Sequence, residues 1–238
     1  MKNNFLNHIK ELRNRIILIF IFFIISFIFS YHYIEEIYDF ILLPLSNLKE
    51  VNESKRIIYT NLTEAFTSYI RLSFTFTILI LFPYIIWHIY RFIAPALYKK
   101  EKKIFNIILI SSPILFYLGC AFAYKIALPL AFDFFLGFEN QTSNLPLILE
   151  AKISEYLKLS QKIIIAFGLV FQLPVIVILL IKSDIISLEN LKKNRKYAIV
   201  IFFILGAIIT PPDIISQIAI AIPMLILYEL TLIIAKKL

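Results

Sequence analysis

The chain has 238 residues, of which 60% are hydrophobic and 17% charged, with a formal net charge of +8. So many apolar residues, arriving in long uninterrupted runs, exceed what one soluble core of this size can bury, which excludes an ordinary soluble globular protein. The basic residues border the apolar runs instead of forming a separate patch, which excludes a nucleic-acid partner and indicates orientation signals facing anionic lipid.

The apolar runs predict an all-α integral membrane protein, a single domain over residues 1–238 with six transmembrane helices. The spans lie at about residues 16–31, 69–90, 104–128, 163–181, 197–210 and 214–235. The first run is followed by aromatic and acidic residues rather than a small-residue cleavage site, so we interpret it as an uncleaved span. Pro129 is expected to end the third span. The fifth, with 14 residues, reaches only about 21 Å at 1.5 Å per residue.

Two long polar segments connect the spans on one side of the membrane. In the first, residues 34–43 have helical spacing and Pro44 is expected to end that helix. Asn61 and Glu64 resemble a capping box that opens the second span. On the other side of the membrane, Ser187 is a predicted N-cap in the loop after the fourth span.

Charge and proline positions predict the orientation and shape of the bundle. Most of the 24 lysines and arginines lie at the two termini and in the loops after spans two and four, which predicts cytoplasmic N- and C-termini. Prolines lie inside four spans, at positions 83, 113, 174 and 223. Because each proline can tilt its helix, we expect a concave bundle with short helices five and six and periplasmic loop caps.

The stretch from Phe92 to Lys103 joins spans two and three at a membrane surface. Pro95 stops the preceding helix, because its ring removes a backbone donor. Beyond it, Glu101 is surrounded by four lysines. Either the lysines hold this loop in the cytoplasm and Glu101 offsets their repulsion, or Glu101 accepts a guanidinium group from a partner. Charge alone favours the first interpretation.

Three separated segments resemble one family. Residues 8–15, HIKELRNR, resemble the H-L-x-E-L-R-x-R entry motif of the TatC subunit of the twin-arginine translocase. Residues 92–101, FIAPALYKKE, resemble its F-x-A-P-A-L-Y-x-x-E loop, and residues 210–213, TPPD, followed by Gln217, resemble its T-P-P-D turn. Residues 118–130 and 167–174 also match, so the resemblance covers nearly the whole chain in order.

The resemblance implies a receptor for leader peptides that carry two adjacent arginines. It assigns Glu101 and Phe92 to the arginine-binding site, with Glu11 and Arg13 supporting or extending it; a local ion pair of Glu11 with Arg13 or Arg15 is the alternative. It also implies single-span TatA- and TatB-type partners, contact with membrane lipid and a homo-oligomer within the receptor complex. The implied activity is transport of folded proteins driven by the proton gradient, without a cofactor. The expected location is the bacterial inner membrane, favoured over an organellar inner membrane.

Polar residues within or beside the later spans are further candidates. Gln172, next to Pro174, stands where many TatC proteins carry Glu; a neutral amide cannot change protonation, and it could join helices or line a groove. Glu229 could contact a partner or pair internally. The resemblance places Thr210, Asp213 and Gln217 where TatB or TatA docks, and capping of a tight periplasmic turn is the alternative.

Two other functional classes fit less well. A secondary transporter of a small solute would show internal repeats and charged midplane sites, whereas the sequence has no repeat and little midplane charge beyond Gln172. An intramembrane enzyme would need a nucleophile with a base, or a metal site. There is no G-x-S-x-G or H-E-x-x-H motif, the lone Cys120 lies in an apolar run, and the three histidines are scattered. Copurification of a single-span protein would favour the translocase, and uptake of a labelled solute the transporter.

Overall fold

The computed structural model describes residues 2–46, 58, 61–93, 99–137, 152–183, 185–209 and 214–237. Within these residues the chain forms ten α-helices, and a π-helical turn at Ala123–Ala127 connects two of them. The helices are α1 (Lys2–His32), α2 (Ile34–Ser46), α3 (Glu64–Ile93), α4 (Lys99–Phe122), α5 (Leu128–Leu136), α6 (Ile153–Val170), α7 (Leu173–Lys182), α8 (Leu188–Lys193), α9 (Arg195–Ile209) and α10 (Ile214–Lys237).

Four helical stretches of the described residues are long and apolar enough to cross a membrane. They are His8–His32, Glu64–Phe92, Phe105–Leu136 and Ile153–Lys182, and each overlaps one of the first four predicted spans. Helix α9 has 15 residues and is short, as expected. Helix α10 has 24 residues, about 36 Å at 1.5 Å per residue, so of the last two predicted spans only the fifth is short.

Several helix boundaries differ from the sequence-based expectation. Helix α1 begins at Lys2, so the charged entry motif belongs to the same helix as the first span. Pro44 lies inside α2, which continues to Ser46, instead of ending it. Pro129 does not end the third span, because it occupies the first turn of α5, where a missing N–H costs little. The π-helical turn before it keeps the chain helical to Leu136.

The predicted Ser187 cap and one of the two bonds of the predicted Asn61–Glu64 capping box are present. The backbone N–H of Asn61 donates to Glu64 Oε2 (3.3 Å), and Glu64 Oε1 accepts from the backbone N–H (3.3 Å) and hydroxyl (2.5 Å) of Ser154. One carboxylate thus caps α3 and also fixes the start of α6. Ser187 Oγ accepts from the backbone N–H of Asn190 (3.2 Å) at the start of α8.

The contacts divide the chain into two compact units, each described by itself. The first comprises Met1–Tyr38 and Tyr69–Ile114. Helices α1 and α3 meet along a seam where Phe22 stacks on Tyr84 (centroids 4.6 Å apart) and Phe23 meets Phe74 edge-on (5.4 Å). Aromatic packing of this kind holds two helices together without requiring polar groups inside a membrane.

The second unit comprises Asp39–Ser68 and Leu115–Leu238. Helix α6 carries many of its buried side chains, and α4 approaches it closely at two glycines. A Cβ on Gly119 would lie 2.5 Å from the backbone oxygen of Phe167, and one on Gly168 would lie 2.7 Å from Phe116 Cε2. Small residues allow such an approach, because they leave the facing backbone room.

The break in the fourth predicted span falls where expected. Helix α6 ends at Val170, Gln172 is the N-cap residue of α7, and Pro174 lies in the first turn of α7. The N–H of Gln172 donates to the carbonyl of Leu169 (3.0 Å). The turn interrupts the helix within one span, and its backbone groups still form hydrogen bonds, as between the N–H of Ile176 and the carbonyl of Gln172 (2.9 Å).

Candidate functional site

Glu11 lies on α1, one turn before Arg15, and the two side chains form an ion pair. Arg15 Nε and Nη2 both donate to Glu11 Oε1, at 3.1 and 2.5 Å. His8 Nδ1 lies 3.8 Å from the other carboxylate oxygen. The alternative of a local ion pair is therefore realised, with Arg15 as the partner. The Glu11 side chain is 38% exposed.

Arg15 also connects α1 to the end of α3. Its Nη2 donates to the backbone carbonyl of Arg91 at 3.3 Å, and its side chain is only 15% exposed. A guanidinium group has five donors in a fixed fork, so Arg15 can hold a carboxylate and a helix-terminal carbonyl at the same time. This places Glu11 at a defined distance from the last turn of α3.

Phe92, the second residue of the predicted arginine site, belongs to the same region. Its ring stacks on His8, with centroids 4.3 Å apart and planes 17° apart. His8 thus links Phe92 on α3 to Glu11 on α1. The structure therefore brings together two of the four residues assigned to leader binding, through a histidine that the sequence analysis did not select.

The other two residues assigned to leader binding are not brought to Glu11 in the described part of the chain. Arg13 is exposed, and its Nη2 lies 3.5 Å from Asn14 Oδ1. Glu101 is the third residue of α4, but its side chain lies outside the described residues, as does Pro95. The proximity of Glu11 and Glu101 stays a prediction.

A cavity of about 620 Å³ opens between α1 and α3 beside this ion pair. Its wall is formed by five residues of α1 and four of α3: Lys10, Glu11, Asn14, Arg15, Leu18, Tyr84, Trp87, His88 and Arg91. Of these residues, only Glu11 was a candidate binding residue from sequence, with Arg15 as one of its two possible ion-pair partners. Helical spacing could have suggested the rest, because positions 84, 87, 88 and 91 share one face of α3.

Gln172 is buried at the turn between α6 and α7, with 7% of its surface exposed. Burial of a polar side chain within a helical membrane protein is tolerated when it faces other helices. Pro174 beside it is also buried. The arrangement is compatible with a side chain that joins helices, one of the two roles expected from the sequence.

Gln217 connects the last two helices. Its Nε2 donates to the backbone carbonyl of Phe203 on α9 at 2.8 Å, and a Cβ on Gly206 would lie 3.1 Å from the Gln217 carbonyl oxygen. Thr210 and Asp213, which the resemblance groups with Gln217, lie outside the described residues. Gln217 therefore has a structural contact whether or not a partner binds nearby.

Glu229 on α10 forms an ion pair with Arg195 at the start of α9, with Oε2 and Nη2 3.0 Å apart. The neighbouring Tyr228 hydroxyl donates to the carbonyl of Leu191 on α8 (2.9 Å). Internal pairing, one of the two expected roles of Glu229, is thus present. Both charged side chains are about half exposed, at 50% and 46%, so the pair is weakly stabilising.

A double-mutant cycle tests this pair. We expect Glu229→Gln and Arg195→Gln to be coupled by about 0.2–1 kcal/mol in the free energy of unfolding, as for other exposed pairs. The measurement is unfolding of the detergent-solubilised protein and of both single and double variants. Coupling of several kcal/mol would mean that the pair is desolvated, contrary to the exposure of both side chains.

The comparisons with known proteins decide the family. A family profile described as the Sec-independent protein translocase protein (TatC) matches residues 7–223. The chain belongs to the TatC family. It is 48% identical over 233 residues to the TatC protein of Rickettsia prowazekii (strain Madrid E), covering 98% of this chain and 92% of that one. It is 36% identical over 225 residues to TatC of Escherichia coli (strain K12), covering 94% and 85% of the two chains.

Two solved structures have the same fold. A crystal structure of the twin arginine translocase receptor TatC in DDM matches with a TM-score of 0.82 and 35% identity, covering 96% of this chain and 99% of that one. A second crystal structure of this receptor matches with a TM-score of 0.79 and 36% identity. These matches confirm the predicted family, the all-α TatC fold and a multi-pass membrane protein. They also confirm a protein-transport component rather than an enzyme, since TatC is a translocase subunit.

Proposed function

We propose that this TatC protein is the receptor subunit that binds twin-arginine leader peptides at its cytoplasmic face. Glu11 and Glu101 accept the two guanidinium groups, and Phe92 supplies an apolar surface beside them, with Arg13 at the edge of the site. The observation that carries this proposal is the Glu11–Arg15 pair, in which the Glu11 carboxylate already holds a guanidinium group by two donors at 3.1 and 2.5 Å.

Arg15 acts in this proposal as an internal stand-in for a leader arginine. The Glu11 side chain is 38% exposed, so an incoming guanidinium can reach the carboxylate and replace the bonds from Arg15 with charge-assisted bonds of the same kind. Arg15 retains its bond to the Arg91 carbonyl (3.3 Å) and the end of α3 stays attached to α1. The leader therefore meets a carboxylate that is already held in position. This favours binding, because preorganised contacts lose less entropy when the leader binds.

The stacked rings of His8 and Phe92 provide the second element of the site. Guanidinium groups stack on aromatic faces, and the Phe92 ring is fixed by its contact with His8 at 4.3 Å. An arginine held by Glu11, the partner of His8 at 3.8 Å, could therefore rest its planar group near this aromatic pair. A lysine ammonium has neither the fork nor the flat face, so the site favours arginine over lysine.

The wider assembly is part of the same proposal. The chain has six spans with both termini in the cytoplasm of a bacterium, and it works as a homo-oligomer with single-span TatA- and TatB-type partners. Those partners dock at the region of Thr210, Asp213 and Gln217, with Gln172 and Glu229 as further polar contacts. Transport of folded cargo is driven by the proton gradient. The family assignment supports this assembly.

The test uses a leader peptide with a photoreactive residue beside its arginine pair, added to membranes that contain the protein. We expect crosslinks near Phe92 and Glu11, and much weaker crosslinking for the same peptide with two lysines. Glu11→Gln should weaken binding about tenfold or more, because a charge-assisted hydrogen bond contributes about 1.5–3 kcal/mol. The control is Glu36→Gln, an exposed acid on α2.

Arg15→Gln separates a binding role of Glu11 from a purely structural one. If Arg15 competes with the leader, its removal leaves peptide binding equal to or stronger than in the unaltered protein. If Glu11 serves only to hold Arg15, then Glu11→Gln and Arg15→Gln weaken binding to the same degree. Equal losses in both variants, or equal crosslinking of the arginine and lysine peptides, would contradict the proposed site.

A further inference from the structure

The cavity between α1 and α3 carries more positive charge than the Glu11–Arg15 pair requires. Three cationic side chains, Lys10, Arg15 and Arg91, line it, and Glu11 is the only carboxylate among its described lining residues. Since Arg15 neutralises Glu11 at 2.5 Å, Lys10 and Arg91 remain as surplus charge facing one cavity. A cavity with this balance favours an anion.

The two arginines are held in place within the cavity. Arg15 donates to the Arg91 carbonyl at 3.3 Å, and the Arg91 guanidinium lies over the Trp87 ring, with Cζ 5.0 Å from the ring centroid. Stacking on an indole leaves the edge of a guanidinium group, where its N–H donors point, available to a ligand. The cationic wall is therefore ordered before any ligand binds.

His88 supplies an unused polar group in the same wall. It is only 4% exposed, and neither ring nitrogen has a hydrogen-bond partner among the described residues. Tyr84 and Trp87 flank its ring edge-on, at 4.4 and 4.9 Å between centroids. A buried polar group without a partner costs about 1–3 kcal/mol. A neutral imidazole always carries one N–H, which can donate a hydrogen bond to an anionic oxygen.

We propose that this cavity binds a phosphate group, carried by an anionic phospholipid headgroup or as free phosphate. Arg91 and Lys10 provide the surplus charge beside the Glu11–Arg15 pair, and His88 provides a hydrogen bond once its ring turns toward the cavity. Guanidinium groups match phosphate oxygens by two parallel bonds. Basic pockets between transmembrane helices on the cytoplasmic side suit lipid headgroups, and Trp and Tyr concentrate at that depth. Leu18 and Tyr84 give the cavity an apolar side, which suits the glycerol and upper acyl chain of a lipid.

The test exploits Trp87, since it is the single tryptophan of the sequence and lines the cavity. The protein is reconstituted in phosphatidylcholine vesicles that contain an equal fraction of either brominated phosphatidylglycerol or brominated phosphatidylcholine. We expect brominated phosphatidylglycerol to quench Trp87 fluorescence several-fold more. The ratio of quenching by the two lipids is compared within each variant, because Arg91 also affects the emission of Trp87 directly.

Arg91→Gln and the exposed Lys10→Gln should each lower that ratio. Lys193→Gln, which removes a charge on α8 that does not line the cavity, should leave it unchanged. Lys10→Gln keeps the test valid if Arg91→Gln does not fold. A quenching ratio near one in the unaltered protein, together with no response to phosphate, would overturn the proposal. An equal reduction of the ratio in Lys193→Gln would also overturn it, because general attraction to anionic lipid would then explain the preference.

A second measurement identifies the source of the phosphate group. Inorganic phosphate is titrated into the detergent-solubilised protein, and Trp87 emission is followed in the unaltered protein and in Lys10→Gln. A Lys10-dependent response without a bromolipid preference assigns the site to free phosphate, whereas a bromolipid preference assigns it to lipid. Both measurements omit the leader peptide, so the result is independent of the proposed receptor function.

Discussion

Glu101→Ala is expected to abolish crosslinking of a twin-arginine leader peptide while leaving the protein inserted in the membrane. Glu101 is the third residue of α4, where a carboxylate is favoured by the helix dipole and by the neighbouring lysines. Two guanidinium groups need two acceptors, and a bidentate arginine–carboxylate contact has two charge-assisted bonds. Their joint loss costs about 100- to 10,000-fold in affinity, at about 1.5–3 kcal/mol per bond.

The matched control is Glu189→Ala, which also removes an acid from the first turn of a helix rich in lysine, α8. This variant should crosslink the leader as the unaltered protein does. Membrane insertion is measured by resistance to alkaline extraction, so a loss of crosslinking can be separated from a loss of protein. Normal crosslinking by Glu101→Ala would remove Glu101 from the proposed site, and it would favour the interpretation that Glu101 only offsets lysine repulsion.

Gly119→Ala is expected to destabilise the second unit by about 1–3 kcal/mol or more, as overpacking of a tight core does. The added Cβ would lie 2.5 Å from the backbone oxygen of Phe167 and 2.9 Å from the Phe171 side chain. A backbone oxygen within a helix cannot rotate away, so α4 and α6 would have to separate. Without this close contact the substitution would stabilise the protein, since Ala in a helix is about 0.5–1 kcal/mol more favourable than Gly.

The measurement is the unfolding of each protein in mixed micelles as the fraction of a denaturing detergent is raised. Gly137→Ala is the matched control, because an added Cβ there meets its nearest atom at 3.3 Å and the backbone φ is −62°, which any residue adopts. We expect that variant to stay within about 1 kcal/mol of the unaltered protein. A stabilised Gly119→Ala protein would show that the two helices do not approach as closely as described.

Four long apolar helices overlap the first four predicted spans, because a membrane-spanning helix needs a long apolar run. The sequence predicted the interruption at Gln172 and Pro174 for the same local reason, since proline removes a backbone donor. It was wrong about Pro129, which lies in the first turn of α5. The local sequence does not distinguish a proline in the first turn of a helix from a proline that ends a helix. We also recognised no sequence signal for the π-helical turn before Pro129.

Part of the candidate site could also be derived from sequence. Glu11 and Arg15 are four residues apart, and on a helix that spacing brings the side chains together, so their pairing was an expected alternative. The stacking of His8 on Phe92 joins residues of two helices that are 84 positions apart. No periodicity within one helix predicts such a contact, so His8 was not selected.

The sequence by itself determined that this chain is a membrane protein, which ends of its helices are charged, and which family its motifs belong to. Those properties depend on composition and on spacing along one helix. Only the tertiary structure decided that Arg15 reaches the Arg91 carbonyl, that His88 is buried without a partner among the described residues, and that one cavity gathers three cations. These depend on how α1 packs against α3, and side-chain packing between distant segments is set by the shapes of both surfaces together.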